Sequence, residues 1–320
     1  MAHVFCSRCG RLIGDEPGDI CDHCDPALRL SYVPPKTPTP SHNPITWILI
    51  ALAILATCLS HAFSTPAFLP GAAFGPAVLS GQWWQLFTAL FVHFDAEHLI
   101  GNLIFLWIFG KRVERILGRR AFLAFFLACG LAGGTARLIL NPELNFCGAS
   151  GAIFGFAGAL MVVYGSRFRT LPGKQRFKFF ALVLWSVLGF YQGWLDPSTD
   201  NIAHITGFCA GILLGALLGL RSGSDRRRKS YVFAGAGLVV IGMAICARYY
   251  NAYAIHLDAA VRALDSGKNE VARGEVQAAL AARPRSDMAR SLARRLIESN
   301  ESNQNKSPSN AIAASPGGAK

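Results

Sequence analysis

Few side chains in this chain are both chemically capable and oddly placed. The stretch from Asn145 to Leu160 reads Asn-Phe-Cys-Gly-Ala-Ser-Gly-Ala-Ile-Phe-Gly-Phe-Ala-Gly-Ala-Leu, a polar loop running into an apolar, glycine-rich helix with the hydroxyl of Ser150 at the junction. Glycines on both sides allow a tight turn and close backbone approach. The free N–H groups of a helix start, near such a hydroxyl, could hold a developing oxyanion. A serine at a helix start is more often a cap, so Gly-x-Ser-Gly by itself is weak. Its weight comes from three further residues in other apolar segments: His98, Asn102 and His204. Serine is a poor nucleophile until a base takes its proton. A neutral His204 can do that and later protonate a leaving amine. No Asp or Glu within the apolar segments is placed as a third member, so the expectation is a dyad. Asp200, one turn before His204, reads first as a helix N-cap. The oxyanion would be held by the Ser150 N–H with the Asn102 amide and His98, and Gly148 completes that candidate set.

The elements that would position these groups are membrane spans. Of the 320 residues 52% are hydrophobic and 16% charged, too apolar and charge-poor for an ordinary soluble domain. The apolar residues form long runs. Spans are expected at 45–60, 98–110, 121–140, 150–166, 177–195, 201–220 and 231–248. Residues 64–97 contain no Lys or Arg and are too broken by glycine and proline to cross; Trp83 and Trp84 suit the interface. The net charge of +12 could suggest nucleic acid, but none is expected. The basic residues sit instead in alternate loops, after the second, fourth and sixth spans: Lys111, Arg112, Arg115, Arg119 and Arg120; then 167–178; then Arg221 and 226–228. The loops after the first, third and fifth spans hold almost none, Arg137 being the nearest exception. This positive-inside pattern predicts a multi-pass protein of the plasma or inner membrane, with a cytoplasmic N-terminus and an outer C-terminus. No cleavable signal peptide is expected.

Because the second, fourth and sixth spans all start at the outer face, His98, Asn102, Ser150 and His204 share one depth. Polar side chains inside spans are costly and default to function. Gly151, Gly155 and Gly158 on the fourth span match His204, Gly207, Gly211, Gly215 and Gly219 on the sixth. Small-residue stripes let membrane helices approach closely, which would bring the imidazole to the hydroxyl. A transporter would show paired charges or broken helices deep in the spans; no buried acid–base pair is seen.

Outside the spans, residues 1–30 carry Cys6-Ser-Arg-Cys9 and Cys21-Asp-His-Cys24. Two Cys-x-x-Cys pairs have the spacing of a tetrahedral zinc site, with Cys6, Cys9, Cys21 and Cys24 as ligands and His3 and His23 as bystanders. The expected cofactor is a structural Zn²⁺ in a zinc-ribbon-like segment, none being needed for catalysis; a docking role toward a protein partner suits it. A proline-rich linker fills 31–44. Residues 231–250 form the seventh span region. Two short amphipathic helices are expected over 251–299, with Gly274 and Pro284 as punctuation. A disordered tail is expected over 300–320.

With Gly148-Ala149-Ser150-Gly151, Ala203-His204-x-x-Gly207 and His93-x4-His98-x3-Asn102 in place, the chain resembles the rhomboid family of intramembrane serine proteases over about 45–220. The resemblance implies an all-α polytopic membrane protein: a six-helix rhomboid core, to which this chain adds a seventh transmembrane helix and the small zinc-binding segment. It implies Ser150 and His204 as the catalytic dyad, His98 and Asn102 as oxyanion supports, and Gly207 as the residue that lets the sixth span pack on the fourth. It implies cleavage of single-span membrane proteins within the bilayer, near its outer surface. The Gly110-Lys-Arg-Val-Glu-Arg segment around Glu114 also looks like the family's second-span ending. Two departures stand out. Trp84-Gln85 replaces the Trp-Arg of many members, and Phe154 replaces a tyrosine often found four residues after the serine, although it can still stack on His204. The alternative class is a non-catalytic rhomboid-like protein that binds membrane clients, which predicts loss of Ser150 or His204; both are present.

Overall fold

A computed structural model describes residues 4–5, 12–14, 43–64, 69–166, 168–196, 199–218 and 226–305. The four cysteines of the zinc expectation, most of the linker and residues 306–320 lie outside them. Strands β1 (Val4–Phe5) and β2 (Leu12–Gly14) pair antiparallel. Seven apolar helical units follow: α1 (Pro44–Ala62); a second unit begun by α4 (Ala96–Phe105), continued by a π-turn (Leu106–Gly110) and ended by α5 (Lys111–Leu117); α6 (Arg119–Leu140); α7 (Ser150–Gly165); α8 (Gly173–Leu195); α9 (Asn201–Leu217); and α10 (Arg226–Tyr250). Four of these, α1, α6, α8 and α10, are long and apolar enough to cross a membrane; α7 and α9 are shorter and apolar. Between α1 and α4 the chain carries β3 (Ala73–Phe74), α2 (Gly75–Leu79) and α3 (Gln85–Thr88), so the described residues of 64–97 before α4 form only short elements, none long enough to cross.

The order of burial explains the arrangement. Every residue of α7 from Gly151 to Leu160 is buried, making it the central helix, packed against α6 and α9. Its apolar character all round suits a helix with protein on every side. The outer helices expose their aliphatic faces instead: Trp47 and Leu55 on α1, Leu184 and Leu188 on α8, Leu238 and Ile245 on α10. A belt of this kind is costly in water and expected against lipid. The mostly helical, apolar architecture is that of an integral membrane protein.

Polar groups at helix ends lock the bundle. Glu114, 4% exposed, accepts from the N–H groups of Ile45 (3.1 Å) and Thr46 (2.9 Å) and from the Thr46 hydroxyl (2.7 Å). A carboxylate on the free donors of a helix start answers both their hydrogen bonding and the helix dipole, contributing on the order of 0.5–2 kcal/mol. That is the physical role of the Glu114 segment: it caps α1. At the same end Arg112 lies over the Tyr164 ring near the end of α7, 5.3 Å from its centroid.

The C-terminal part differs from expectation. It holds three helices rather than two: α11 (Tyr253–Asp265), α12 (Asn269–Ala282) and α13 (Asp287–Asn305). Gly274, expected to interrupt, lies inside α12, because a helix tolerates one glycine at a cost of about 1 kcal/mol. The break falls at Gly267, whose φ of +70° suits a residue without Cβ. Helix α13 runs past residue 300, so the tail expected from 300 onward is helical as far as Asn305.

Candidate active site

Ser150 is the first residue of α7, with Ala149 at the cap position and no side-chain hydrogen bond closing the helix start. The bland reading of Ser150 as an N-cap is therefore not what the helix uses; its half-buried hydroxyl is left for other work. The preceding turn is set by Gly148, whose φ of +116° lies where L side chains rarely go. A Cβ there would also stand 2.8 Å from the His98 ring, so only glycine lets the ring lie over this backbone. The Gly148 N–H donates to the Ala89 carbonyl at 2.7 Å. That N–H is therefore engaged within the fold, and what Gly148 visibly supplies is turn shape and room for His98.

His204 lies in the first turn of α9, buried. Asp200 caps that helix through its side chain, accepting from the Ala203 N–H at 3.1 Å, as the one-turn offset predicts. Its other oxygen is 3.6 Å from Arg137 Nε at the end of α6. The pair ties the start of α9 to α6, a role for Arg137 that its place as the exception in a charge-poor loop only hinted at. His204 Nδ1 is buried with no hydrogen-bond partner among the described residues, so no carboxylate stands behind the ring. The ring is instead held by stacking on Phe154, centroids 4.3 Å apart and planes 19° apart. Phe154 is backed in turn by Trp185 at 4.8 Å and Phe190 at 5.0 Å. Phenylalanine at this position does hold the imidazole.

The glycine stripes bring the two helices together. A Cβ at Gly207 would strike the Gly151 carbonyl, and one at Gly211 the Gly155 carbonyl; at Gly151 a Cβ would stand 3.3 Å from the Ala203 carbonyl. The neighbours of Ser150 and His204 thus touch through bare backbone. A small cavity reaches Ser150, lined by Gly148, Gly151 and Ala203 and walled behind by Leu90 and Gly130.

His98 and Asn102 come from α4. Asp95 caps this helix, accepting from the His98 N–H at 2.7 Å. The His98 ring sits edge-on to His93 at 5.0 Å. Asn102 is buried and donates one amide N–H to the His98 carbonyl at 2.9 Å; the second N–H of an amide nitrogen remains for another acceptor. Behind His98 lie His93, already part of the sequence motif, and two residues that sequence reasoning missed, Thr57 and His61. His93, fully buried, shares a hydrogen bond with the Thr57 hydroxyl at 3.2 Å, and its carbonyl is bonded by His61 Nε2 at 3.0 Å. Thr57 and His61 are one turn apart on α1, a spacing that could have flagged them. Gln85, at the departure from Trp-Arg, is buried; it accepts from the Phe74 N–H at 2.9 Å and donates to Gln82 at 2.9 Å, closing the loop in place of a longer cation. Among the described residues no group of three or more His, Cys, Asp or Glu is placed to hold a metal.

Residues 80–221 match the family model of the Rhomboid domain. The chain is 32% identical over 214 residues to the rhomboid protease GluP of Bacillus subtilis (strain 168), covering 64% of this chain and 40% of that protein. It is 29% identical over 141 residues to the putative rhomboid protease YdcA of the same organism, covering 44% of this chain and 69% of that one. It is 27% identical over 174 residues to the rhomboid protease GlpG of Salmonella choleraesuis (strain SC-B67), covering 54% and 62%. His98, Asn102, Gly148, Ser150, Phe154 and His204 fall within the matched segment, while Thr57 and His61 precede it.

Proposed function

We propose that this protein, whose residues 80–221 match the family model of the Rhomboid domain, is an intramembrane serine endopeptidase that cleaves single-span membrane proteins near the outer surface of the bilayer. Ser150 is the nucleophile and His204 the base. The observation that carries this reading is the convergence of an uncapped helix-start serine and a stacked, carboxylate-free histidine on two helices in backbone contact. Ser150 Oγ attacks the peptide carbonyl carbon, its proton passing to His204, while the carbonyl π pair moves to oxygen. The oxyanion lies near the Ser150 N–H, the free Asn102 amide N–H and the His98 ring. Collapse breaks the C–N bond as His204 protonates the amine, leaving an acyl-enzyme. Water, deprotonated by the same histidine, then releases the acid and restores Ser150.

The seventh helix α10 is read as a further span, with the N-terminus cytoplasmic and the C-terminus outside. Zinc is proposed for Cys6, Cys9, Cys21 and Cys24. Strands β1 and β2 flank the part of the sequence that holds Cys6 and Cys9, and four thiolates in two Cys-x-x-Cys pairs suit Zn²⁺ by number and softness. Its role would be structural, with a protein partner for the segment.

The test is labelling of the detergent-purified full chain by a serine-directed phosphonate, with cleavage of a single-span substrate in parallel. Wild type should label and cleave; Ser150→Ala and His204→Ala should do neither, a loss of at least about 1,000-fold, while reaching the membrane at normal levels. Cleavage retained by Ser150→Ala removes the assignment of the nucleophile.

A further inference from the structure

The α6–α7 connection, residues 141–149, leads straight into Ser150, and it does not stand alone. Strand β4 (Asn145–Phe146) pairs antiparallel with β3. Gly75 at the start of α2 sits so close to the Pro142 carbonyl that no side chain fits. The Gly148 N–H is fixed to Ala89. These contacts weld the loop between α1 and α4 and the nucleophile loop into one platform at the mouth of the site.

The C-terminal helices sit on that platform. Helix α11 packs on α2, and one buried apolar cluster runs from Val78, Leu79 and Phe146 to Leu257, Val276 and Leu292. Asn251, 3% exposed, donates to the Leu138 and Ile139 carbonyls at 2.9 and 3.2 Å, satisfying the last turn of α6. Arg248 donates to the Leu79 carbonyl. At the centre is Glu143, in the middle of the nucleophile loop. It accepts from the Tyr253 hydroxyl at 3.0 Å through one oxygen and from the Met288 N–H at 3.0 Å through the other. Arg283 completes the knot, donating to the Tyr253 oxygen at 2.6 Å and lying over its ring at 4.8 Å. Burial, then the Glu143 carboxylate, push the Tyr253 phenol up, so it stays a donor across the working pH range. One loop carboxylate is thereby bonded to two of the three C-terminal helices.

Resting on the proteolytic reading above, we propose that the α11–α13 unit is a brace for the nucleophile loop, with Glu143 as the positioning residue through which it holds the turn before Ser150. A helical unit that only recognised substrate would need a free face toward the site. This one commits its apolar face to the welded platform and its polar knot to the nucleophile loop. The consequence is a kcat effect: small errors in the Gly148–Ser150 turn misplace the hydroxyl and the helix-start N–H together, and errors on the ångström scale cost up to about 100-fold.

The experiment uses the full chain in detergent, comparing wild type, Glu143→Gln, Tyr253→Phe and the double variant. It reads backbone hydrogen exchange over 144–149, kcat and KM on a single-span substrate, and the thermal midpoint. The brace predicts exchange about tenfold faster over 144–149 in each variant. It also predicts kcat lowered about tenfold with KM within about twofold, and a double variant no worse than the poorer single one, since both changes open one knot. Unchanged exchange with unchanged kcat overturns the proposal, as does a raised KM with kcat intact, which would make the unit a substrate-binding element. Faster exchange in variants of a wild type that never cleaves supports the brace and overturns the protease reading, so the two fail separately.

Discussion

At the scale of single residues, the site separates groups that react from groups that hold them. On the proposed reading Asn102 is on the reacting side: one amide N–H is bonded within its own helix, which leaves the other for an oxyanion. Asn102→Ala should lower kcat by about 100- to 1,000-fold with KM little changed, because an oxyanion donor acts on the transition state and not on the bound ground state. Steady-state kinetics on a transmembrane substrate check this. Equal losses in binding and turnover would instead make Asn102 a structural partner of His98. Phe154 is on the holding side. Its ring stacks on His204 and is itself backed by Trp185 and Phe190. Phe154→Tyr should therefore stay within about threefold of wild type, while Phe154→Ala, which frees the imidazole, should lose about 10- to 100-fold in kcat. The same kinetic comparison decides between stacking and simple volume.

At the scale of elements, bare backbone contact between α7 and α9 decides whether Ser150 and His204 lie near one another. Gly207 faces the Gly151 carbonyl with no room for a Cβ. Gly207→Val must push α9 away from α7 and should cost about 3 kcal/mol, the upper end of the usual overpacking range, read as a fall in the thermal midpoint together with loss of phosphonate labelling. Gly242 on α10 meets nothing within 4 Å of an added Cβ, so Gly242→Ala should leave both measurements unchanged. These elements were legible in the sequence because a hydroxyl, an amide and imidazoles are conspicuous in apolar helices, and glycines four apart announce a close contact. The positions of Glu114, Gln85 and Glu143 were not legible as interactions. Glu114 and Glu143 serve backbone N–H groups from distant parts of the chain and Gln85 one from across its own loop, and a polar residue in a loop looks the same in sequence whether it faces water or bonds to remote backbone. The partner of the Gly148 N–H was hidden for the same reason: its acceptor, Ala89, lies in another loop. Two C-terminal helices were expected where three exist because glycine was weighed by identity at Gly274, when the left-handed turn that ends a helix is at Gly267.

At the scale of the whole molecule, the contacts and the charges describe the same sidedness. The starts of α4, α7 and α9 meet around Ser150, and the end of α6 is joined there by Asn251, just beyond α10. The opposite ends carry Arg112 against Tyr164 and Glu114 at the start of α1, among the basic clusters of the sequence. Lys and Arg are held on the cytoplasmic side, so the mouth of the site and the α11–α13 unit should both face outward. The cysteine-rich N-terminus, ahead of α1 and Glu114, should then lie in the reducing cytoplasm, where thiolates stay available to metal. Purified protein should carry about one zinc per chain, and Cys6→Ser should release it; a metal-free wild type would remove zinc from the account. The orientation itself is tested by two single cysteines at exposed positions, Ser291→Cys on α13 and Lys174→Cys at the start of α8. A membrane-impermeant maleimide applied to intact cells should label the first and leave the second unlabelled until the membrane is permeabilised. The reverse pattern would invert the topology, placing the Ser150 mouth on the cytoplasmic side and cleavage at the inner surface. Labelling of neither in intact cells would mean that α10 does not cross, leaving the α11–α13 unit on the cytoplasmic side.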